Sequence, residues 1–216
     1  MYPSLYVIVA PTIPMLKNAT LREFFKFCPF ESIKDYNKTD RHITLINGAE
    51  ILCISGDNER DIDRLRGMNL GGAYGDEIAI CPEYMHDILV ARLRDSNGCM
   101  KIWYTSTPRG FNWMYRLFVD KKRKDGKEIS NPEDYELFTG TSLDNPYTDK
   151  EFKQTLLDTY GGVFAKQEIY GEFVGYEGLV YPDFSRELHV FNKPLSELGI
   201  KRYIAGVDWG FICPSV

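Results

Sequence analysis

The sequence is poor in the features that usually announce a function. Its five cysteines (Cys28, Cys53, Cys81, Cys99 and Cys213) are odd in number and never spaced as C-x-x-C. That pattern argues against a disulfide scaffold or a zinc ribbon and reads as small buried hydrophobes. The three histidines, His42, His86 and His189, are scattered without metal-ligand spacing. No run approaches the ~18 apolar residues of a membrane span. The opening "MYPSLYVIVAPTIPML" has no basic segment before its apolar part, so it does not read as a signal peptide. A cytosolic address is the default expectation. There is no excess of positive charge either: the net charge of −5 excludes a surface coated in basic residues and leaves room only for a local patch. Internal repeats and low-complexity tracts are absent. So is a phosphate loop: no G-x-x-x-x-G-K-[ST] occurs, and the single Gly-Lys, Gly126-Lys127, is followed by Glu128 in a polar stretch.

What is present is an ordinary balance of 44% hydrophobic and 26% charged residues, enough to bury a core. The length allows one large domain, or one domain and part of a second. "LYVIVA" (5–10) is a continuous apolar run of the kind found in a strand covered on both faces. "TLREFFKF" follows as a helix, with Thr20 and Glu23 at capping-box spacing. Two β-rich runs within 42–55 flank Asn47-Gly48, a two-residue hairpin signal. "ERDIDRLRG" (59–67) predicts a short charged helix, and "PEYMHDILVARLRD" (82–95) a longer one. Strands are expected at "GGAYG" within 71–80, at "MKIWYTST" (100–107) and at "YELFTGT" (135–141), with helices over 111–126 and about 149–170. "YEGLVYPDFS" (176–185) reads as a connector and "YIAGVDWG" (203–210) as one more strand. Alternation of strands and helices implies a mostly parallel sheet, whose ligand site lies outside the carboxyl ends of its strands.

Those strand ends carry the suggestive polar residues. "GGAYGDEIAI" (71–80) places Asp76 and Glu77 where a strand stops. An acid there can hold a magnesium ion on nucleotide phosphates, and a second acid can polarise an attacking water. It can equally be a pair that caps the next helix or faces water. One helix later, "IWYTSTPRG" (102–110) ends in Thr105, Ser106 and Thr107. Neighbouring parallel strands bring these hydroxyls beside the acids, where they can bond a γ-phosphate or a water. Taken alone they are also compatible with a loop held by local side-chain bonds. The ordered pair of motifs is more specific than either one.

In that order the motifs resemble the large subunit of the terminase of tailed bacteriophages, which packages DNA into a procapsid. "VAPTIPMLKNATLREF" is similar to the strand and helix after that family's phosphate-loop helix, and "RLRGMNLGGAYGDEIA" to its Walker B region. "TSTPRG" resembles the coupling motif, "LDNPYTD" (143–149) and "YGEFVGYEGLVYPDF" (170–184) the end of the ATPase domain and the passage to the nuclease. "YIAGVDWG" resembles the first strand of an RNase H-like nuclease.

The resemblance implies a three-layer, mostly parallel α/β sheet of the P-loop NTPase (ASCE) type. It implies an ATPase domain over 1–175 without its Walker A region, a connector over 176–202, and the first nuclease strand over 203–216. Asp76 is then the magnesium ligand, Glu77 the catalytic carboxylate, Thr105, Ser106 and Thr107 the coupling motif, and Asp208 the first metal-binding acid of the nuclease. ATP with Mg²⁺, and Mg²⁺ or Mn²⁺ for the nuclease, are the implied cofactors. Double-stranded DNA, the portal protein, the small terminase subunit and further copies in a ring are the implied partners, in the cytoplasm of the infected bacterium and with no membrane. The same resemblance implies that the chain starts after the phosphate loop and stops before the remaining nuclease acids, so that alone it is inactive. A helicase-like DNA-dependent ATPase and a non-catalytic remnant of the fold stay open as alternatives.

Other residues have plainer readings. "DKKRKDGK" (120–127) fits a solvated helix end at least as well as a DNA contact. Arg109 is a candidate phosphate contact or a structural residue, and Arg64 and Arg66 are candidates to reach a neighbouring subunit. Trp103, Tyr104 and Trp113 are expected in the core.

Overall fold

Strand β1 (Leu5–Ala10) lies at the centre of a six-stranded sheet because both of its faces are apolar. Val7 and Val9 point into one core; Ile8 and Ala10, with Tyr6 packed beside them, point into the other. The computed structural model describes residues 3–175 and Val190. Asp208, the 203–216 segment and, apart from Val190, the 176–202 segment lie outside the described residues. All elements below belong to the compact unit Met1–Tyr176.

The remaining strands are β2 (Ile33–Asn37), β3 (His42–Leu45), β4 (Glu50–Ser55), β5 (Leu70–Gly75) and β6 (Lys101–Tyr104), in the order β2-β3-β4-β1-β5-β6. β4, β1, β5 and β6 run parallel, whereas β2 and β3 pair antiparallel at one side. The Asn47-Gly48 turn joins β3 to β4 as expected, with Gly48 at φ 84. In register, Ala10 faces Ser55, Val9 faces Gly75 and Gly75 faces Tyr104, so these strands end together along one edge.

Helices cover both faces, which makes the unit three-layered. On one side, α3 (Glu59–Arg64), α4 (Glu83–Arg92) and a π-helical segment (Tyr115–Val119) supply Ile62, Met85, Leu89 and Leu117 to the interior. On the other, helical residues 13–27 cross β1 and β4. They comprise α1 (Ile13–Met15), a π-turn (Leu16–Thr20) and α2 (Leu21–Phe27), and bury Leu16, Thr20 and Leu21. α5 (Lys150–Thr159) and α6 (Gly162–Glu168) follow. No helix among the described residues is long and apolar enough to cross a membrane.

Three expectations need correction. The Thr20–Glu23 capping box does not form: the cap is Thr12, whose side chain accepts from the Met15 amide, and Thr20 sits inside the helix. The 135–141 run is no strand: among the described residues it joins no ladder, and neither set of its alternating side chains is buried, since Leu137 and Phe138 are both exposed. The 111–126 helix shrinks to helical residues 113–119, after which Lys121 takes a positive φ of 56 and stops it. β2 was not foreseen, since "IKDYN" is polar and lies at the sheet margin.

The glycines of "GGAYG" are required by close approach. A Cβ on Gly75 would meet the Tyr104 ring at 2.8 Å and Ile78 at 2.9 Å, and one on Gly98 would lie 2.2 Å from the Gly71 Cα. At Gly75 the crowding comes from side chains, whereas the backbone-to-backbone contact of Gly71 with Gly98 leaves room for no side chain on Gly98.

Candidate active site at the ends of β5 and β6

Because β1, β5 and β6 end in register, the residues that leave them are forced together. The Asp76 amide continues the ladder to the Val9 carbonyl at 2.8 Å, and the Thr105 amide continues it to the Gly75 carbonyl at 2.9 Å. The two side chains then meet. Thr105 Oγ1 donates to Asp76 Oδ1 at 2.9 Å, and Thr20 Oγ1, from the helix on the sheet face, donates to Oδ2 at 2.7 Å. Tyr74 Oη lies 2.7 Å from Thr105 Oγ1. Burial, with the Asp76 and Glu77 charges nearby, pushes the Tyr74 phenol above its ordinary range, so it stays protonated and donates to Thr105.

Glu77 is held in a left-handed conformation, φ 48 and ψ 40, which costs a side-chain-bearing residue about 1–2 kcal/mol. The turn is tied down from β6. The Ile78 amide donates to the Thr105 carbonyl at 3.3 Å, and the Ala79 amide donates to Ser106 Oγ at 3.1 Å. Glu77 Oε2 accepts from the Thr107 amide at 3.4 Å. All five residues expected from these two motifs, Asp76, Glu77, Thr105, Ser106 and Thr107, are therefore interlocked at one strand edge, while Asp208 lies outside the described residues.

A groove of about 610 Å³ opens beside Asp76, lined among others by Thr20, Glu23, Phe24, Phe27 and Tyr74. Cys28 also lines it, but the side chains gathered at Asp76 itself, Thr20 and Thr105, offer oxygen, which suits a hard cation. Among the described residues no group of three or more His, Cys, Asp or Glu is placed to hold a metal ion. Two adjacent carboxylates with hydroxyls fit Mg²⁺, which commonly takes one or two protein carboxylates and completes its shell with phosphate oxygens and water.

Behind the site, His86 Nδ1 lies 3.0 Å from Tyr104 Oη and the imidazole stacks on Trp113. Burial pushes the His86 pKa down to about 4, so the ring is neutral and packs as an aromatic. Tyr104 and Trp113 pack against the core as expected, but Trp103 is 56% exposed on the open face of β6. The basic run is locally compensated: Lys124 pairs with Asp87, Arg123 and Lys127 with Asp125, and Lys121 donates to the Tyr135 carbonyl. Arg64 and Arg66 pair with Asp61 and Asp63, and Arg109 is exposed.

Two site residues escaped the sequence reading. Thr20 looked like a helix cap, and nothing in the sequence marks the π-turn that carries it inward. Tyr74 stands among the small residues of β5, and no spacing in the sequence singles out its hydroxyl.

The family model described as terminase large subunit, T4likevirus-type, N-terminal, matches residues 2–188. The chain belongs to this terminase family. No curated protein matches it. Among solved structures, the large terminase from a thermophilic bacteriophage is 22% identical, with a TM-score of 0.70, over 87% of this chain and 45% of that one. The same phage protein in complex with ADP is 24% identical, with a TM-score of 0.66, over 97% of this chain and 50% of that one. The large terminase ATPase domain of Thermus phage P74-26 is 23% identical, with a TM-score of 0.52, over 80% of this chain and 78% of that one. At these identities the likeness establishes the fold: the sheet is that of a terminase ATPase domain. The chain spans about half the length of the first two.

Proposed function

We propose that this terminase chain forms the acidic half of an ATP site, in a large subunit that drives double-stranded DNA into a procapsid. The observation that carries the reading is the bond from Thr105 to Asp76, which joins the Walker B-like and coupling-like motifs at one strand edge. The ADP complex of the thermophilic-phage relative agrees with a nucleotide as ligand.

Asp76 would hold Mg²⁺, with Glu77 beside it, and the ion would supply charge neutralisation for the β- and γ-phosphates. Glu77 takes a proton from the attacking water as general base. Its bond to the Thr107 amide orients the carboxylate, and it ties the base to the coupling segment. Thr105 and Ser106 link the same turn to β6, so a change at the acids is transmitted to the 105–107 segment. With no phosphate-loop motif in its 216 residues, the chain alone is expected to hydrolyse ATP negligibly.

At the level of the whole subunit the proposal includes metal-dependent cleavage of concatemeric DNA. In it Asp208 is one ligand of a two-metal site for Mg²⁺ or Mn²⁺. It also includes assembly as a ring with the portal protein and the small subunit, in the cytoplasm of the infected host.

The test is made in the complete large subunit. Asp76→Ala should weaken Mg–ATP binding. Glu77→Ala should leave binding near wild type and lower turnover by a factor on the order of 10² to 10⁴. Equal loss of nucleotide affinity in both overturns the division of roles, and wild-type turnover in both overturns the site.

A further inference from the structure

We propose that Thr20 is a positioning residue for Asp76, and that the π-turn of the first helix exists to deliver its hydroxyl. The inference rests on the proposed role of Asp76 as a cation ligand. Thr20 is 6% exposed, and its hydroxyl donates to Asp76 Oδ2 at 2.7 Å across 56 residues of sequence. An ordinary α-helix places successive side chains about 100° apart. The Leu16–Thr20 segment instead closes with the Leu21 amide on the Leu16 carbonyl, which accommodates one extra residue in the turn. Residues beyond such a turn lag by roughly the angle of one residue. Leu16 and Leu21 remain in the core while Thr20, between them, faces the end of β5.

The consequence for Asp76 is geometric. A carboxylate offers about four lone-pair positions. Thr20 occupies one on Oδ2 and Thr105 one on Oδ1, so the group is clamped from opposite sides and keeps about two positions open toward the groove. Neither donor is charged, so neither cancels the negative charge that a cation needs. Donors that orient a metal-binding side chain in this way commonly change metal affinity by 10- to 100-fold when removed.

The experiment titrates Mn²⁺ alone into the isotopically labelled 216-residue chain and follows paramagnetic broadening of the amides around Asp76 and Thr105. Wild type should broaden locally, and Asp76→Asn should lose the effect. Thr20→Val, close in size but without a donor, should require about tenfold or more Mn²⁺, while Thr20→Ser should return to within about twofold of wild type. Should Thr20→Val fail to fold, Thr20→Cys, a weak donor of similar size, carries the same expectation. If Asp76→Asn loses the broadening but Thr20→Val matches wild type, the role of Thr20 is overturned and that of Asp76 stands. If wild type shows no local broadening, or Asp76→Asn broadens like wild type, the metal role of Asp76 itself fails.

Discussion

Tyr74 and Thr105, thirty-one residues apart, join their hydroxyls at 2.7 Å across the ends of β5 and β6, and Thr105 passes the interaction on to Asp76. The phenol sits at the back of a chain that ends on a carboxylate. Removing either hydroxyl should therefore disturb the other. In a double-mutant cycle on urea unfolding, Tyr74→Phe and Thr105→Val should couple by about 0.5–1.5 kcal/mol. Strict additivity would mean that the two hydroxyls do not meet.

The left-handed backbone of Glu77 makes an unusual stability prediction. Glycine tolerates this conformation and alanine does not. Glu77→Gly should be about 1 kcal/mol more stable than Glu77→Ala by chemical denaturation. Equal stability, or the reverse order, would show that the strain is absent.

His86 gives the fold an acid limit. Its pKa is about 4 in the folded chain against an ordinary 6.5, so the unfolded state binds the proton more readily. Its contribution is complete above pH 6.5 and is lost as pH falls from 6.5 toward 4, with a slope of up to about 1.4 kcal/mol per pH unit. His86→Gln, which keeps a polar partner for Tyr104, should flatten the unfolding free energy across that window. An unchanged slope would place the acid sensitivity elsewhere.

For Asp208, the expected outcome in the complete subunit is loss of DNA cleavage on substitution by Ala, with DNA-stimulated ATP hydrolysis largely intact. A carboxylate in a two-metal cluster serves the attacking and leaving oxygens of cleavage only. Plasmid cleavage at the wild-type rate would remove Asp208 from the nuclease.

Much of the site was legible because its logic is sequential. In a parallel sheet the residue after each strand arrives at the same edge, so Asp76 and Thr105 could be paired from their positions after apolar runs. β1, with its unbroken "LYVIVA", was legible for the same reason. Thr20 was not, because its role depends on a change of helical pitch that no residue between Leu16 and Thr20 encodes by type. The 135–141 run shows the opposite failure: its alternation suits a strand, but a strand also needs a face to bury, and Leu137 and Phe138 both stay exposed. Trp103 was misplaced because alternation along β6 assigns opposite faces to Trp103 and Tyr104, and on the Trp103 face helical residues 13–27 cross β1 and β4 and leave Trp103 exposed at the margin.

That exposed margin has a consequence for how the chain behaves in concentrated solution. Among the described residues β6 has a strand neighbour on one side only, and Trp103 is exposed beside an apolar hollow of about 280 Å³ that it helps to line. A free row of backbone donors and acceptors next to exposed apolar surface is a template for another strand. Lys101, exposed on the same strand, is the one charge that opposes such pairing within β6. The colloidal stability of the chain therefore hangs on a four-residue margin: neutralising Lys101 lowers the concentration at which molecules associate, and a charge in place of Trp103 raises it.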